Sequence, residues 1–163
     1  MPADRQNVVL VYPVSVDRKQ ILMQFHKDPE DPSYNRYNGI SAWPRQYESL
    51  AEAGHRALRS AGVAGAQLNF RGSVHWSRFA HNDWPLFGYH FLARLPQDVG
   101  IVMEDDQVRR RWINVEDLFS EQVPCWPGDM YILPLVLDDQ PKPFHGLMIY
   151  DNGVPKEWRH ERA

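Results

Sequence analysis

Cysteine occurs once in this chain, at Cys125, so no intramolecular disulfide and no multi-cysteine metal site can be assembled. Beside Trp126, that thiol is expected to be a small packed side chain rather than a reactive group. Long apolar runs are missing as well. The run at residues 8–12 follows a polar N-terminal stretch and is too short for a signal or membrane helix, which gives the expectation of a cytoplasmic protein with no membrane partner. Charge of one sign is not in surplus. With 18 Lys and Arg against 21 Asp and Glu, the net charge is −3 and scattered, so the positive field that binds polymeric nucleic acid is lacking. There is no P-loop, no HxxxH or His/Cys spacing and no Ser-His-Asp pattern. His26, His75, His81, His90, His145 and His160 are therefore expected to be structural. Repeats, linkers and low-complexity tracts are absent too.

What is present is a chain of 163 residues, 43% hydrophobic, long enough for one domain over residues 1–163 with a core of its own. Aromatics are plentiful, with six Trp, seven Tyr and seven Phe, and some of them are candidates to line a pocket. Residues 8–12 and 20–25 are apolar runs of strand length, separated by Pro13 and the turn Asp17-Arg18-Lys19. Residues 28–39, rich in Pro, Asn and Asp, read as a loop. The spacing of Leu50, Ala53, Ala57 and Leu58 predicts a helix over 45–61, with Pro44 ahead of it and Gly62 as its left-handed stop. Strands are expected at 67–76 and 85–95, joined by the turn-rich 77–84, and again at 108–114. A short helix is expected at 115–119, a longer one at 128–137 despite Pro134, and a strand at 144–150 before the turn Asp151-Asn152-Gly153. That order gives an α+β fold, a mixed sheet with helices on its faces.

Two segments carry a family resemblance. Asn38–Val63 has the outline of the loop-helix pattern G-x5-E-x7-R-E-U-x-E-E-x-G-U, and Gly62-Val63 matches its closing pair. Cys125-Trp126-Pro127-Gly128-Asp129 through Pro134-Leu135, then Phe144-His145-Gly146, matches a Trp-Pro-Asp-Asp…Pro-Leu…Phe-His-Gly segment. Together they resemble the Nudix hydrolase superfamily, and within it the oxidised-purine nucleoside triphosphatases, the MutT-like subgroup, over roughly residues 8–160. The resemblance implies a Nudix-type α/β/α sandwich with a mixed sheet. It also implies a base pocket in which Trp126 stacks on the ligand, Asp129 bonds its edge, and Asn38, Trp76 and Leu86 complete the wall. A planar base needs such an aromatic face and a few fixed polar groups in an apolar cleft.

The departures from the pattern bear on activity. The glutamates that hold Mg²⁺ or Mn²⁺ in the family fall at Arg56, Arg59 and Ser60, and Gly128 stands where the subgroup has the first of two adjacent aspartates. Ser41-Ala42-Trp43 replaces a Gly-Gly-Lys. Guanidinium groups cannot coordinate a hard cation, so no cofactor is expected, with Mg or Mn required only if the chain is active. Arg56 and Arg59 are either an ordinary solvated helix face or the cations that pair directly with a diphosphate. The leading expectation is a Nudix-fold protein with impaired or absent pyrophosphohydrolase activity that binds a nucleotide or another planar ligand. The alternative is an active hydrolase of nucleoside diphosphate-X compounds, with Glu48 and Glu52 as catalytic candidates. A displaced metal site would then be held by Glu48, Glu52 and one of Glu104, Asp105 or Asp106, or by Glu48, Glu52 and His55. A third possibility is a protein-interaction module with an aromatic surface. Ligand identity and oligomeric state are not encoded legibly.

Overall fold

A computed structural model describes residues 6–77, 85–100 and 102–163. Strand β1 (Asn7–Val14) sends Val8, Leu10, Tyr12 and Val14 into one buried cluster and Val9 and Val11 into another, as expected of a strand covered on both faces. It is central. The other elements are β2 (Gln20–His26), β3 (Tyr37–Asn38), β4 (Ile40–Ala42), α1 (Leu50–Ser60), β5 (Gln67–Ser77), β6 (Leu86–Arg94), β7 (Val108–Asn114), α2 (Asp129–Leu137), β8 (Phe144–Asp151) and β9 (Val154–Arg162). Among the described residues the strands form a single sheet in the order β3-β2-β1-β6-β5-β8-β9, with β4 added to β1 and β7 to β2. The pairs β1/β6 and β5/β8 are parallel and the others antiparallel, so the sheet is mixed.

Each face of the sheet carries one helix. Ala53, Ala57 and Leu58 of α1 pack on Val9, Val11 and Phe91, whereas Ile132, Leu133 and Val136 of α2 join Leu10, Tyr12, Phe144 and Met148. This is the α/β/α sandwich that the order of elements predicts. No described helix is long and apolar enough to cross a membrane.

The differences from the sequence expectations have local causes. Helix α1 begins at Leu50 rather than at residue 45, because Tyr47 takes a left-handed φ of 65° and Ser49 then caps the helix. Ser49 Oγ accepts from the Glu52 N–H at 3.1 Å and Glu52 Oε2 accepts from the Ser49 N–H at 2.7 Å, a reciprocal capping box. Replacing Ser49 by Ala is expected to cost about 1 kcal/mol, read as a lower thermal midpoint. Gly62, at φ 76°, ends the helix as predicted.

Strand β1 runs through Pro13, whose missing N–H falls where the neighbour changes from β4, paired at Val9–Val11, to β2, paired at Val14. The loop at 28–39 ends in β3, and β4 follows it. The helix expected at 115–119 is a 3-10 turn at Val115–Asp117. Strand β9, unannounced by apolar alternation, follows the hairpin turn in which Asn152 and Gly153 both have positive φ. The turn expected at 77–84 lies almost wholly outside the described residues, as does His81.

Arg71 of β5 fixes the far end of α2. Its guanidinium donates to the carbonyl oxygens of Val136 at 3.0 Å, Asp138 at 2.9 Å and Gln140 at 2.9 Å, and to Asp138 Oδ1 at 2.8 Å. Arg162 of β9 pairs with the other oxygen of the same carboxylate. The Val136 carbonyl of the last helical turn and two carbonyls just beyond it are thereby satisfied by a single side chain from the sheet.

Candidate functional site

The start of α2, the first half of β1 and the segment Asp31–Trp43 enclose a cleft of about 780 Å³, open mouth included. Asn38, Trp76, Leu86, Trp126 and Asp129 all line it. Val8, Leu10, Trp43 and Tyr150 add apolar and aromatic wall. Residues from five parts of the chain thus meet in one concave, mostly apolar space, the usual form of a small-molecule site.

Trp126 is fixed from several directions. Its indole N–H donates to Ser33 Oγ at 2.9 Å, its ring meets Tyr150 edge-on, and the Arg36 guanidinium lies 4.0 Å over the ring centroid. Asn38 uses its side-chain oxygen on the Gly39 N–H at 2.9 Å.

Asp129 is the unusual group. It is 7% exposed, and its Oδ2 has no hydrogen-bond partner among the described residues. Although it occupies the first turn of α2, it makes no side-chain cap there. Burial pushes its carboxyl up to about 7, opposed by a hydrogen bond from the Trp126 backbone and by the charge of Arg36. The Cys125 thiol next to it is pushed up to about 12 by burial and by the Asp129 charge, which leaves it a packing group.

The aspartate that precedes Asp129 in the resembled segment would meet filled space here. A Cβ on Gly128 would lie 2.2 Å from Met148 Sδ and 2.6 Å from the Tyr150 hydroxyl. That hydroxyl accepts the Gly128 N–H at 3.1 Å. A side chain at position 128 would therefore have to displace the end of Met148 and the Tyr150 hydroxyl.

On the other side of the sheet, Tyr47, Glu48, Glu52, His55 and Arg59 line a shallow surface depression. Glu48 holds Arg56 through both oxygens, at 2.8 Å each, and this hydrogen-bonded pairing brings its carboxyl down to about 2. Arg56 also donates to the Trp43 carbonyl at 2.9 Å, so it braces the cleft wall from behind. Arg59 is exposed on the last turn of α1.

Glu104 accepts from the Arg110 N–H at 3.2 Å and from Arg111 at 2.9 Å, and Asp105 caps the Gln107 and Val108 N–H groups. The acids named for a displaced metal site are therefore occupied separately: Glu48 by a guanidinium, Glu52 by the capping box, Glu104 and Asp105 by the β7 loop. Among the described residues no three His, Cys, Asp or Glu side chains gather as metal ligands do. This donor set does not fit a hard divalent cation, which needs several converging oxygens.

Sequence reasoning passed over His26. It lines the same cleft, with Nδ1 3.2 Å from Asp31 Oδ2. No local pattern marks it, because its neighbours in the cleft are distant in the chain.

Neither a family model nor a curated protein sequence matches the chain. Solved structures do match in shape. A MutT protein from Bacillus halodurans superposes with a TM-score of 0.74 at 15% identity, over 96% of this chain and 97% of that one. The NUDIX domain of Shewanella oneidensis NrtR, complexed with ADP ribose, gives 0.66 at 14% identity over 80% and 85%. The E. coli dihydroneopterin triphosphate pyrophosphohydrolase gives 0.54 at 16% over 68% and 81%. At these identities the likeness is one of architecture, and on that footing the chain has the Nudix hydrolase fold.

Proposed function

We propose that this protein binds a nucleotide or a similar planar ligand in the cleft around Trp126 and Asp129, and that it has little or no pyrophosphohydrolase activity. The observation that carries the reading is Asp129 itself. A buried carboxyl without a partner on one oxygen costs stability, and such a cost is characteristic of a group kept for a ligand. The aromatic walls suit a flat ring, and the NrtR domain that shares the fold was seen with ADP ribose. Arg59 lines the depression on the other side of the sheet and Arg56 is held by Glu48, so neither arginine is proposed as a contact for a ligand in this cleft.

Catalysis in the manner of the family is disfavoured by the residues present. Glu48 and Glu52 remain the candidates for it, but Glu48 has both oxygens and Glu52 has Oε2 engaged in holding the start of α1.

Thermal shift and calorimetry with nucleoside mono- and triphosphates, dinucleotides and ADP ribose, without divalent metal, test the reading. A ligand at a hundredfold excess over its Kd stabilises by about 2.7 kcal/mol. Trp126→Ala is expected to erase the response. Release of phosphate or pyrophosphate with Mg²⁺ or Mn²⁺, abolished by Glu52→Gln, would make the protein an active hydrolase instead. Silence in both assays would leave the aromatic surface to a protein partner.

A further inference from the structure

Asp31, at the entrance to the cleft, organises two of its walls. Its Oδ1 accepts the Ser33 N–H at 2.8 Å, and its Oδ2 meets His26 Nδ1 at 3.2 Å. Ser33 in turn receives the Trp126 indole N–H. One short turn therefore sets both the imidazole and the stacking ring. The hydrogen bond to His26, followed by that from the Ser33 N–H, holds the Asp31 carboxyl below the usual carboxylate range.

An ionised carboxylate only accepts, so the hydrogen between the two groups belongs to Nδ1. In the neutral ring Nε2 then presents a lone pair. The His26 side chain is 9% exposed, it lines the cleft, and Nε2 has no partner among the described residues. The oxygens around it already accept elsewhere: Ser33 Oγ from Trp126, Ser41 Oγ from Gln24 and Asn38 Oδ1 from Gly39. Two buried atoms in the same cleft are left over, His26 Nε2 and Asp129 Oδ2.

We propose that His26, fixed by Asp31, is a second ligand-reading residue of this cleft, and that the ligand is a fused-ring heterocycle carrying N–H donors on two separate edges, one for His26 and one for Asp129. A ring with a donor on one edge only leaves one of these buried atoms unpaired, which is where discrimination between similar flat molecules arises. Asp31 is a positioning residue that acts through His26. The inference rests on the cleft being the ligand site.

Four ribosides that differ only in amino groups form the test: purine riboside, adenosine, 2-aminopurine riboside and 2,6-diaminopurine riboside. Calorimetry is expected to rank the diamino compound tightest, with each amino group worth about three- to tenfold in Kd. His26→Ala should abolish the benefit of one amino group, read as the ratio of Kd values between ligands with and without it, while Asp129→Asn alters the benefit of the other. His26→Gln, which keeps an acceptor, should recover part of the loss. Asp31→Asn, which keeps the shape but not the anion that orients the imidazole, should reduce the same preference as His26→Ala, provided its melting curve shows a folded protein. Equal weakening of all four ligands by His26→Ala, or an unchanged amino preference in both His26→Ala and Asp31→Asn, overturns the proposal. If the ribosides bind and Trp126→Ala abolishes binding while those two variants leave the preference intact, only this proposal fails. If none of the four binds the wild-type protein at millimolar concentration, the ligand-site reading fails with it.

Discussion

Replacing Asp129 by Asn is expected to stabilise the protein at pH 8 by about 2–4 kcal/mol, and to change stability little at pH 4. The sign follows from proton binding. The folded carboxyl keeps its proton up to about 7, whereas the unfolded one releases it near 3.9, so between those values the native state binds the extra proton. Stability from this group is therefore present in acid and is lost as pH rises through 7. Asn carries no such charge, so the difference between the two proteins should grow across that window and then level off.

His90 contributes the opposite slope. Burial drives its imidazole down to about 4, against 6.5 when exposed, so acid removes stability between those pH values. In the wild-type protein the two trends offset each other. Without Asp129 the acid sensitivity of His90 stands uncovered, and urea unfolding from pH 4 to 9 reads both. Identical pH profiles for the two proteins would show that Asp129 is ionised in the folded state or has a partner there.

Restoring the missing acid by Gly128→Asp is expected to cost about 4 kcal/mol or more rather than rebuild a carboxylate pair. The new Cβ alone overlaps Met148 Sδ and the Tyr150 hydroxyl, and a second charge would be added beside the buried Asp129. Gly128→Ala isolates the steric part, and Met148→Ala in the same chain should relieve some of it, because the two sites share one space. Circular dichroism and thermal melting measure each variant. A stably folded Gly128→Asp protein with a native melting point would mean that α2 can lift away from β8. The loss of the first aspartate is therefore built into the packing, since Met148 on β8 occupies its volume.

How much of this was legible in the sequence depends on the range over which each signal acts. Apolar runs on β1 and β2, the 3.6-residue spacing of α1 and the alternation on β5 and β6 come from local periodicity, and these elements appear where they are expected. The Ser49…Glu52 capping box was also readable, and it places the start of α1 better than Pro44 does. Strand β9 left no such trace. Most of its charged residues face water at the sheet edge, and Trp158, seated against Gly146, and Arg162, paired with Asp138, tie it inward. For the site, Trp126 and Asp129 could be named from resemblance, but composition and spacing alone did not mark them. His26 and Met148 matter through contacts across the sheet, which a linear reading does not contain. The Glu48–Arg56 pairing, eight residues apart, joins the segment just ahead of α1 to the helix itself and so escapes the i,i+4 rule.

The anchoring of α2 by Arg71 has a further consequence. Since Arg162 shares Asp138 with Arg71, the final strand is mechanically continuous with the helix whose opposite end presents Asp129 to the cleft. Clipping the chain before Arg162, or tethering a bulky tag there, would slacken that linkage at a point remote from any ligand. Affinity would then drift with no wall residue altered.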